Sequence, residues 1–133
     1  MKNKLLFITF FTFVYTQHFV VDIEETGAST LFIFQDGISS LDLGDELGLF
    51  DMNGIVNDIG TVGELLVGAG VWDGSQLNIT TVESQDLSQF GGPVLPGSIS
   101  GNNMTLKVWD SSYNSEHEAS YELSSGTGTF RPT

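Results

Sequence analysis

The feature that most constrains the fold is the spacing of apolar residues in the segment 44–51, with the sequence GDELGLFD. Leu47 and Leu49 share one face of this segment, and Glu46 and Phe50 lie on the other. A period of two residues over a short segment that Asp and Gly bound at both ends is typical of a β-strand between tight turns. We therefore predict a strand here and expect the other strands to pack around it.

Six further segments have similar length and similar turn-forming boundaries, and no helical period interrupts them. These predicted strands are 19–24, 29–35, 64–73, 76–83, 104–110 and 116–123. The sequence Asp73-Gly74-Ser75 is a hairpin signal, so we expect the strands on either side of it to pair antiparallel. Residues 53–63 are predicted to be a loop. The fold class is therefore all-β, an antiparallel β-sandwich (Ig-like or jelly-roll-like) of about seven strands.

The first 17 residues are predicted to be a cleaved signal peptide. Lys2 and Lys4 precede an apolar run, 5–14, that is too short to cross a bilayer, which takes about 20 residues. The cut would fall after Thr16 or Gln17. A competing interpretation, a pair of core strands, lacks a turn residue in the run. Residues 18–124 would form the β-sandwich domain, and 125–133 a polar C-terminal tail or the start of a linker.

Charge excludes several kinds of partner. The chain has 17 acidic residues and only 4 Lys or Arg, and loss of residues 1–17 would leave two cations and a net charge of −15. Such a surface repels phosphate backbones and anionic lipid headgroups, so we expect neither nucleic-acid binding nor membrane insertion after signal cleavage. Solubility outside the cell and cation binding both remain explanations of the acidity. The chain has no cysteine, which excludes thiol chemistry.

Oxygen donors cluster around the strand 44–51 and its flanking loops. Carboxylate and amide oxygens are the ligands that Ca²⁺ prefers, so no cofactor is required but a calcium ion is a candidate. The calcium-loop spacing of an EF-hand is missing, and Asp and Asn are also the residues that form turns. The candidate metal ligands are Asp45, Asp51, Asn53 and Asp58.

Two tryptophans suggest a carbohydrate-binding surface. Trp72 shares a predicted strand face with glycines, and Trp109 shares one with Lys107. Indole rings beside small or polar groups stack against sugar rings, which makes these three residues candidate ligand contacts. The alternative is structural, since a Trp beside strand glycines commonly folds over their bare backbone.

Catalysis has no signature in the chain. No nucleophile elbow, His-x-x-x-His pair or phosphate-binding loop is present. His117 lies between two glutamates that point to the opposite strand face, and we expect it to be half-buried, with Ala119, Tyr121 and Leu123 also inward. We therefore expect no catalytic residues and no enzyme.

The order of motifs resembles a family of small β-sandwich modules in secreted and cell-surface bacterial proteins exported with a type IX C-terminal sorting domain. The resemblance rests on GDELGLFD at 44–51, LVGA at 66–69, WDG at 72–74 and LKVWD at 106–110. It implies a β-sandwich at an extracellular location and no catalytic activity. Family members usually lie in longer, multi-module chains, so we expect either a fragment of such a protein or a short stand-alone member.

Taken together, the sequence predicts a secreted, non-catalytic module of a bacterial extracellular or cell-surface protein. Its role would be adhesion or structural spacing, and its partners would be glycans or other extracellular protein domains. The alternative is a carbohydrate-binding module with an aromatic platform, stabilised by calcium.

Overall fold

A computed structural model describes residues Thr16–Arg131, so all but the last two residues of the predicted signal peptide lie outside the described range. Within that range the chain is all-β, as predicted, with one 3₁₀ turn at Ser88–Phe90 and no α-helix. Eight strands are present, two of them only two residues long. Their bounds are β1 Ser29–Phe34, β2 Glu46–Ile55, β3 Val62–Val71, β4 Leu77–Val82, β5 Gln85–Asp86, β6 Val94–Leu95, β7 Thr105–Asp110 and β8 Ser115–Ala119.

The strand β2 lies at the centre of the larger sheet, as its pattern indicated. This sheet has the order β3-β2-β7-β8, and all its pairs are antiparallel. A second sheet pairs β1 with β4, and β5 pairs with β6 in a short ribbon. Leu47 and Leu49 are fully buried, because they face the second sheet from a strand that has neighbours on both sides.

The core fills the space between the two larger sheets. Its buried members are apolar and come from both sheets and from the chain segments beside them: Phe34, Leu47, Leu49, Val67, Trp72, Ile79, Met104, Leu106, Val108 and Phe130. Gly68 lets the sheets approach closely at one point, since a Cβ there would lie 2.9 Å from Ile79 Cγ2 and from Thr81 Cγ2. Burial of these side chains is the main favourable contribution to the folding free energy of such a domain.

The hairpin predicted at Asp73-Gly74-Ser75 was wrong. The turn exists, with Gly74 at φ 85°, but β4 pairs with β1 rather than with β3. The chain crosses here from one sheet to the other, because the glycines of β3 leave a bare backbone that accepts the side chains of β4 face to face. A turn signal marks a change of direction and does not specify which strand becomes the hydrogen-bonded neighbour.

The connection between β2 and β3 is also shorter than the predicted loop 53–63. The two strands form a hairpin with residues 56–61 as its turn, which Asn57 stabilises by accepting bonds from the Ile59 and Thr61 N–H groups at 3.2 and 3.0 Å. Irregularities in the pairing, between Leu49 and Phe50 and between Asp51 and Gly54, had hidden the strand period from the sequence.

The predicted strand 19–24 is not a strand. Phe19 is nonetheless buried, and a Cβ on Gly48 would lie 2.9 Å from its ring, so this segment covers the outer face of β2. Side chains alternate in any extended segment that lies across a sheet, whether or not its backbone joins the ladder. The alternation therefore predicted burial correctly at Phe19 and strand pairing wrongly.

The C-terminal segment contributes to the core, which corrects the expectation of a polar tail. Phe130 is fully buried and packs edge-to-face against Phe32, with ring centroids 5.7 Å apart. Backbone bonds from Met104 to Gly128 and from Phe130 to Asn102 hold the segment in place. The Gly-Thr residues around this single aromatic gave the segment its polar appearance.

The strand β8 ends at Ala119, earlier than predicted. Ala119 packs against the core, but His117 is exposed, Leu123 is 50% exposed and Tyr121 is 36% exposed. β8 is the edge strand of its sheet and has one neighbouring strand, β7. Its side chains are therefore flanked by other strand residues on one side only. The prediction that all four side chains point inward was wrong for His117 and Leu123, whereas Ala119 packs against the core and Tyr121 is partly buried.

Candidate functional site

An open polar cleft of about 300 Å³ lies beside the irregular part of β2 and the start of β7. Its polar lining is carboxylate, amide and hydroxyl, and two of the predicted metal ligands are among the lining residues. These residues are Asp51, Met52, Asn53, Gly101, Asn102, Asn103 and Thr105. The cleft is therefore the place where the structure brings part of the predicted site together.

Asp51 is the buried member of this cleft and holds two loops together. One carboxylate oxygen accepts the Ile99 N–H at 2.8 Å and the other accepts the Asn53 N–H at 2.9 Å. The Asn102 side-chain amide lies 3.0 Å from both oxygens. Donor hydrogens occupy the lone pairs that a cation would use, so Asp51 in this arrangement is an anchor for loops.

Asp45 has the same kind of surroundings at the other end of β2. It is buried, and its carboxylate accepts the Asp42 N–H at 2.9 Å and both the N–H and the hydroxyl of Ser111 at 3.1 Å. The bonds fix the turn before β2 against the turn after β7. Asp45 therefore lies far along the strand from Asp51 and contributes to a separate network.

The remaining two predicted ligands lie in different places on the surface. Asn53 is exposed at the cleft, and Asp58 is exposed in the turn between β2 and β3. Between Thr16 and Arg131, no group of three or more His, Cys, Asp or Glu side chains is arranged to hold a metal ion. The four candidates are thus distributed over three places in the fold.

Trp72 lies in the core, with 2% of its surface exposed. Its backbone is fixed as well, since its N–H donates to the Asp45 carbonyl at 2.8 Å and its carbonyl accepts the Gly44 N–H at 2.9 Å. A sugar ring needs an open indole face for stacking, and Trp72 offers none. The side chain closes the core, which was the structural alternative for this residue.

Trp109 lies on the outer face of the four-stranded sheet, where His18 covers it. The two rings are stacked, with centroids 3.9 Å apart and planes 10° from parallel. The His18 ring is held in turn by Glu116, whose Oε2 lies 2.8 Å from Nε2. The face of Trp109 that the sequence assigned to a ligand is therefore in contact with the N-terminal segment of the same chain.

Lys107 lies beside Trp109 on β7 and has several contacts within the domain. Its ammonium pairs with Glu64, lies 3.9 Å from Glu116 and sits 4.5 Å above the ring of Phe50. These contacts place a partly exposed cation among groups that already satisfy it. Lys107 thus stabilises the outer face of the sheet, at a distance from Trp72.

Two buried acids have roles that the sequence pattern did not indicate. Glu46 accepts the backbone N–H of His18 at 2.9 Å, and Glu83 accepts the Thr30 hydroxyl at 2.7 Å while Arg131 lies 3.6 Å away. Glu46 begins β2 and Glu83 directly follows β4, positions where a polar residue in an alternating pattern normally indicates a solvent-facing side chain. In the sequence, the only signal for these roles was an acidic residue at a position that the structure buries.

Among residues 16–131, three groups have a shifted pKa, and none of them lines the cleft. Bonds from the backbone and side chain of Ser75 lower the pKa of Asp73, and bonds from Ser88 lower the pKa of Asp86. Burial raises the pKa of Tyr121. The two aspartates serve turns on the surface, as their residue type predicts.

No protein-family model, curated protein or solved structure matches this chain. No helix in the described part of the chain is long and apolar enough to span a membrane.

Proposed function

We propose that this protein is a secreted, non-catalytic β-sandwich module of a bacterial extracellular or cell-surface protein, with a role in adhesion or structural spacing. The family resemblance through the motifs of β2, β3 and β7 supports the location, and so does the apolar run 5–14 after two lysines. The fold itself, a sandwich of antiparallel sheets, occurs in many extracellular domains.

The main support for a non-catalytic role is that the buried acids form hydrogen bonds within the domain. Asp45, Asp51, Glu46 and Glu83 all accept hydrogen bonds from backbone or hydroxyl donors of other segments. A catalytic carboxylate must face a substrate with at least one oxygen available to it. These acids instead join loops and chain segments to the strands, which suits a module whose function is mechanical or adhesive.

Export of the full chain tests the location. The chain would be expressed with its own leader in a bacterial host, and the cell fractions analysed by intact mass. We expect a protein that lacks the leader outside the cytoplasm. The control is Phe11→Asp, which places a charge in the apolar run at a cost of about 3 kcal/mol for insertion and should retain the chain inside. Retention of the wild-type chain with its leader would contradict the proposal.

A glycan-binding role is the second candidate, and the polar cleft is the observation that favours it. Its volume is within the range of small-molecule sites, and Asn53 and Asn103 present amide groups at its rim. The sugar would be held through hydrogen bonds to these amides, without an aromatic platform from Trp72.

A glycan array with the exported protein tests this candidate. We expect binding that the double substitution Asn53→Ala and Asn103→Ala removes. Asn78→Ala is the control, since Asn78 is an exposed amide on β4, outside the cleft lining. Equal binding by all three proteins would exclude the cleft as the glycan site, and no binding would leave the structural role.

A further inference from the structure

A buried carboxylate faces the backbone at the predicted start of the mature chain. Glu46 is 7% exposed, and its two oxygens lie 2.9 and 3.0 Å from the backbone nitrogen of His18. The first of these oxygens is also 3.2 Å from the nitrogen of Phe19. No Lys, Arg or His side chain of residues 16–131 forms an ion pair with Glu46.

This arrangement is incomplete for an ionised carboxylate. An isolated buried charge is costly unless a counter-ion or sufficient hydrogen bonds compensate it. The backbone N–H of His18 supplies one hydrogen to the two oxygens and that of Phe19 supplies one to Oε1, and both donors are uncharged. A nitrogen with three hydrogens and a positive charge at the same position would satisfy both oxygens.

We propose that the leader is removed at the Gln17–His18 bond, and that the new α-ammonium group of His18 forms an ion pair with the buried carboxylate of Glu46. Hydrolysis adds water across this peptide bond: the hydroxyl goes to the carbonyl carbon of Gln17, and a proton goes to the nitrogen of His18. A further proton from solvent gives the ammonium. A signal peptidase of the host supplies the catalyst.

The contacts of the neighbouring side chains fix the position of this nitrogen. The His18 ring is stacked on Trp109 and bonded to Glu116, while the Phe19 ring covers Gly48. A cavity of about 40 Å³ adjoins Phe19 and Glu46, with room for one water that could accept the third hydrogen of the ammonium. The site is therefore built for a chain that begins at His18.

The two alternative cuts fit the site less well. A cut after Thr16 places the ammonium on Gln17, one residue before the nitrogen that contacts Glu46, and leaves His18 with an amide nitrogen. A cut after His18 removes the ring that covers Trp109. Of the two positions that the sequence left open, only the cut after Gln17 brings a charge to Glu46.

The first measurement is the N-terminal residue of the exported full chain, by intact mass and N-terminal sequencing. We expect His18. A chain that begins at Gln17, in its free or cyclised form, or at any other residue overturns this inference and leaves export intact. The inference rests on the export part of the proposed function, and a chain that keeps its leader would overturn both.

The second measurement uses the small number of amines in the processed chain. Only the α-amine and Lys107 remain, so an amine-acylating reagent followed by peptide mass analysis reports each separately. An ion-paired ammonium stays protonated and does not act as a nucleophile. We expect the α-amine to react about tenfold more slowly in the wild type than in Glu46→Gln.

Lys107 is the internal control, because its acylation rate should not depend on Glu46. If Glu46→Gln does not fold, the wild type in denaturant provides the rate of the unprotected amine. Equal α-amine rates in the folded wild type and the reference state would overturn the ion pair.

Discussion

The Asn102 side-chain amide lies 3.0 Å from both carboxylate oxygens of Asp51, and the same nitrogen lies 3.1 Å from the Asn53 carbonyl. This contact joins the irregular part of β2 to the loop before β7, across 51 residues of sequence. Since Asp51 also receives the Ile99 N–H, the loop 99–103 is fixed at two points by a single side chain.

Asp51→Ala should destabilise the domain by about 3 kcal/mol, because it removes the acceptor that the partly buried donors of Ile99 and Asn102 share. Urea unfolding of the exported protein measures this. Asp58→Ala is the matched control, since Asp58 was an equally good ligand candidate but is exposed, and its effect should be below about 0.5 kcal/mol. Similar losses in both variants would contradict the anchoring role.

Calcium should not alter the unfolding midpoint. The donors around Asp45 and Asp51 direct hydrogens at the oxygens that a cation would need, and binding to the folded state alone would raise the midpoint by mass action. The measurement is thermal unfolding with EDTA and with millimolar Ca²⁺. A rise of several degrees would show that the loops rearrange to bind the ion and would restore Asp45 and Asp51 as ligands.

Phe130→Ala should cost about 3–5 kcal/mol, the range for removal of a fully buried aromatic ring. Phe90→Ala deletes the same atoms at a position that is 86% exposed, and it should leave the stability within about 0.5 kcal/mol. Chemical denaturation of the two variants compares them directly. A small loss at Phe130 would mean that the segment 126–131 does not contribute to the core.

Gly68→Ala should destabilise by about 1–3 kcal/mol, because its methyl group would meet Ile79 and Thr81 at 2.9 Å between the sheets. Gly37→Ala introduces the same group where nothing lies within 4 Å, and it should be neutral or slightly stabilising. Comparison of the thermal unfolding midpoints of the two variants with that of the wild type tests this prediction. Equal midpoints would contradict close packing of the sheets at β3.

Alkaline pH should reduce stability partly through Tyr121, which is partly buried and donates to the Met104 carbonyl. Burial raises its pKa in the folded state, so the unfolded chain loses this proton first as the pH rises through about 10. Stability contributed by the protonated phenol is present below that pH and declines above it. Urea unfolding from pH 8 to 11 should show a shallower decline in Tyr121→Phe than in the wild type.

Strand positions could be read from the sequence where the period of two was unbroken. The predicted strand 104–110 was confirmed as β7, in which Leu106 and Val108 are buried, and β2 was correctly identified as the strand around which others pack. Period and turn residues are local properties. The fold class follows from them because many short strands without helices leave few architectures.

Pairing and local irregularity could not be predicted in this way. Val67 has no partner in the register between β2 and β3, so the side of the sheet changes there and Leu65, not Leu66, packs against the core. The sequence did not distinguish the environments of Trp72 and Trp109. Trp72 is buried in the core and Trp109 lies on the outer face, because the second sheet covers only one face of the four-stranded sheet. Long-range contacts, such as that of His18 with Trp109, have no local signal at all.

The position of Phe130 has a consequence for the timing of folding. Phe130, a fully buried aromatic ring of the core between the two sheets, is synthesised only after all eight strands. Because non-local contacts must form before the domain gains its stability, the nascent chain remains without a closed core during translation. If the chain is exported as proposed, this late completion of the core would keep it in the extended form that a narrow translocation channel accepts.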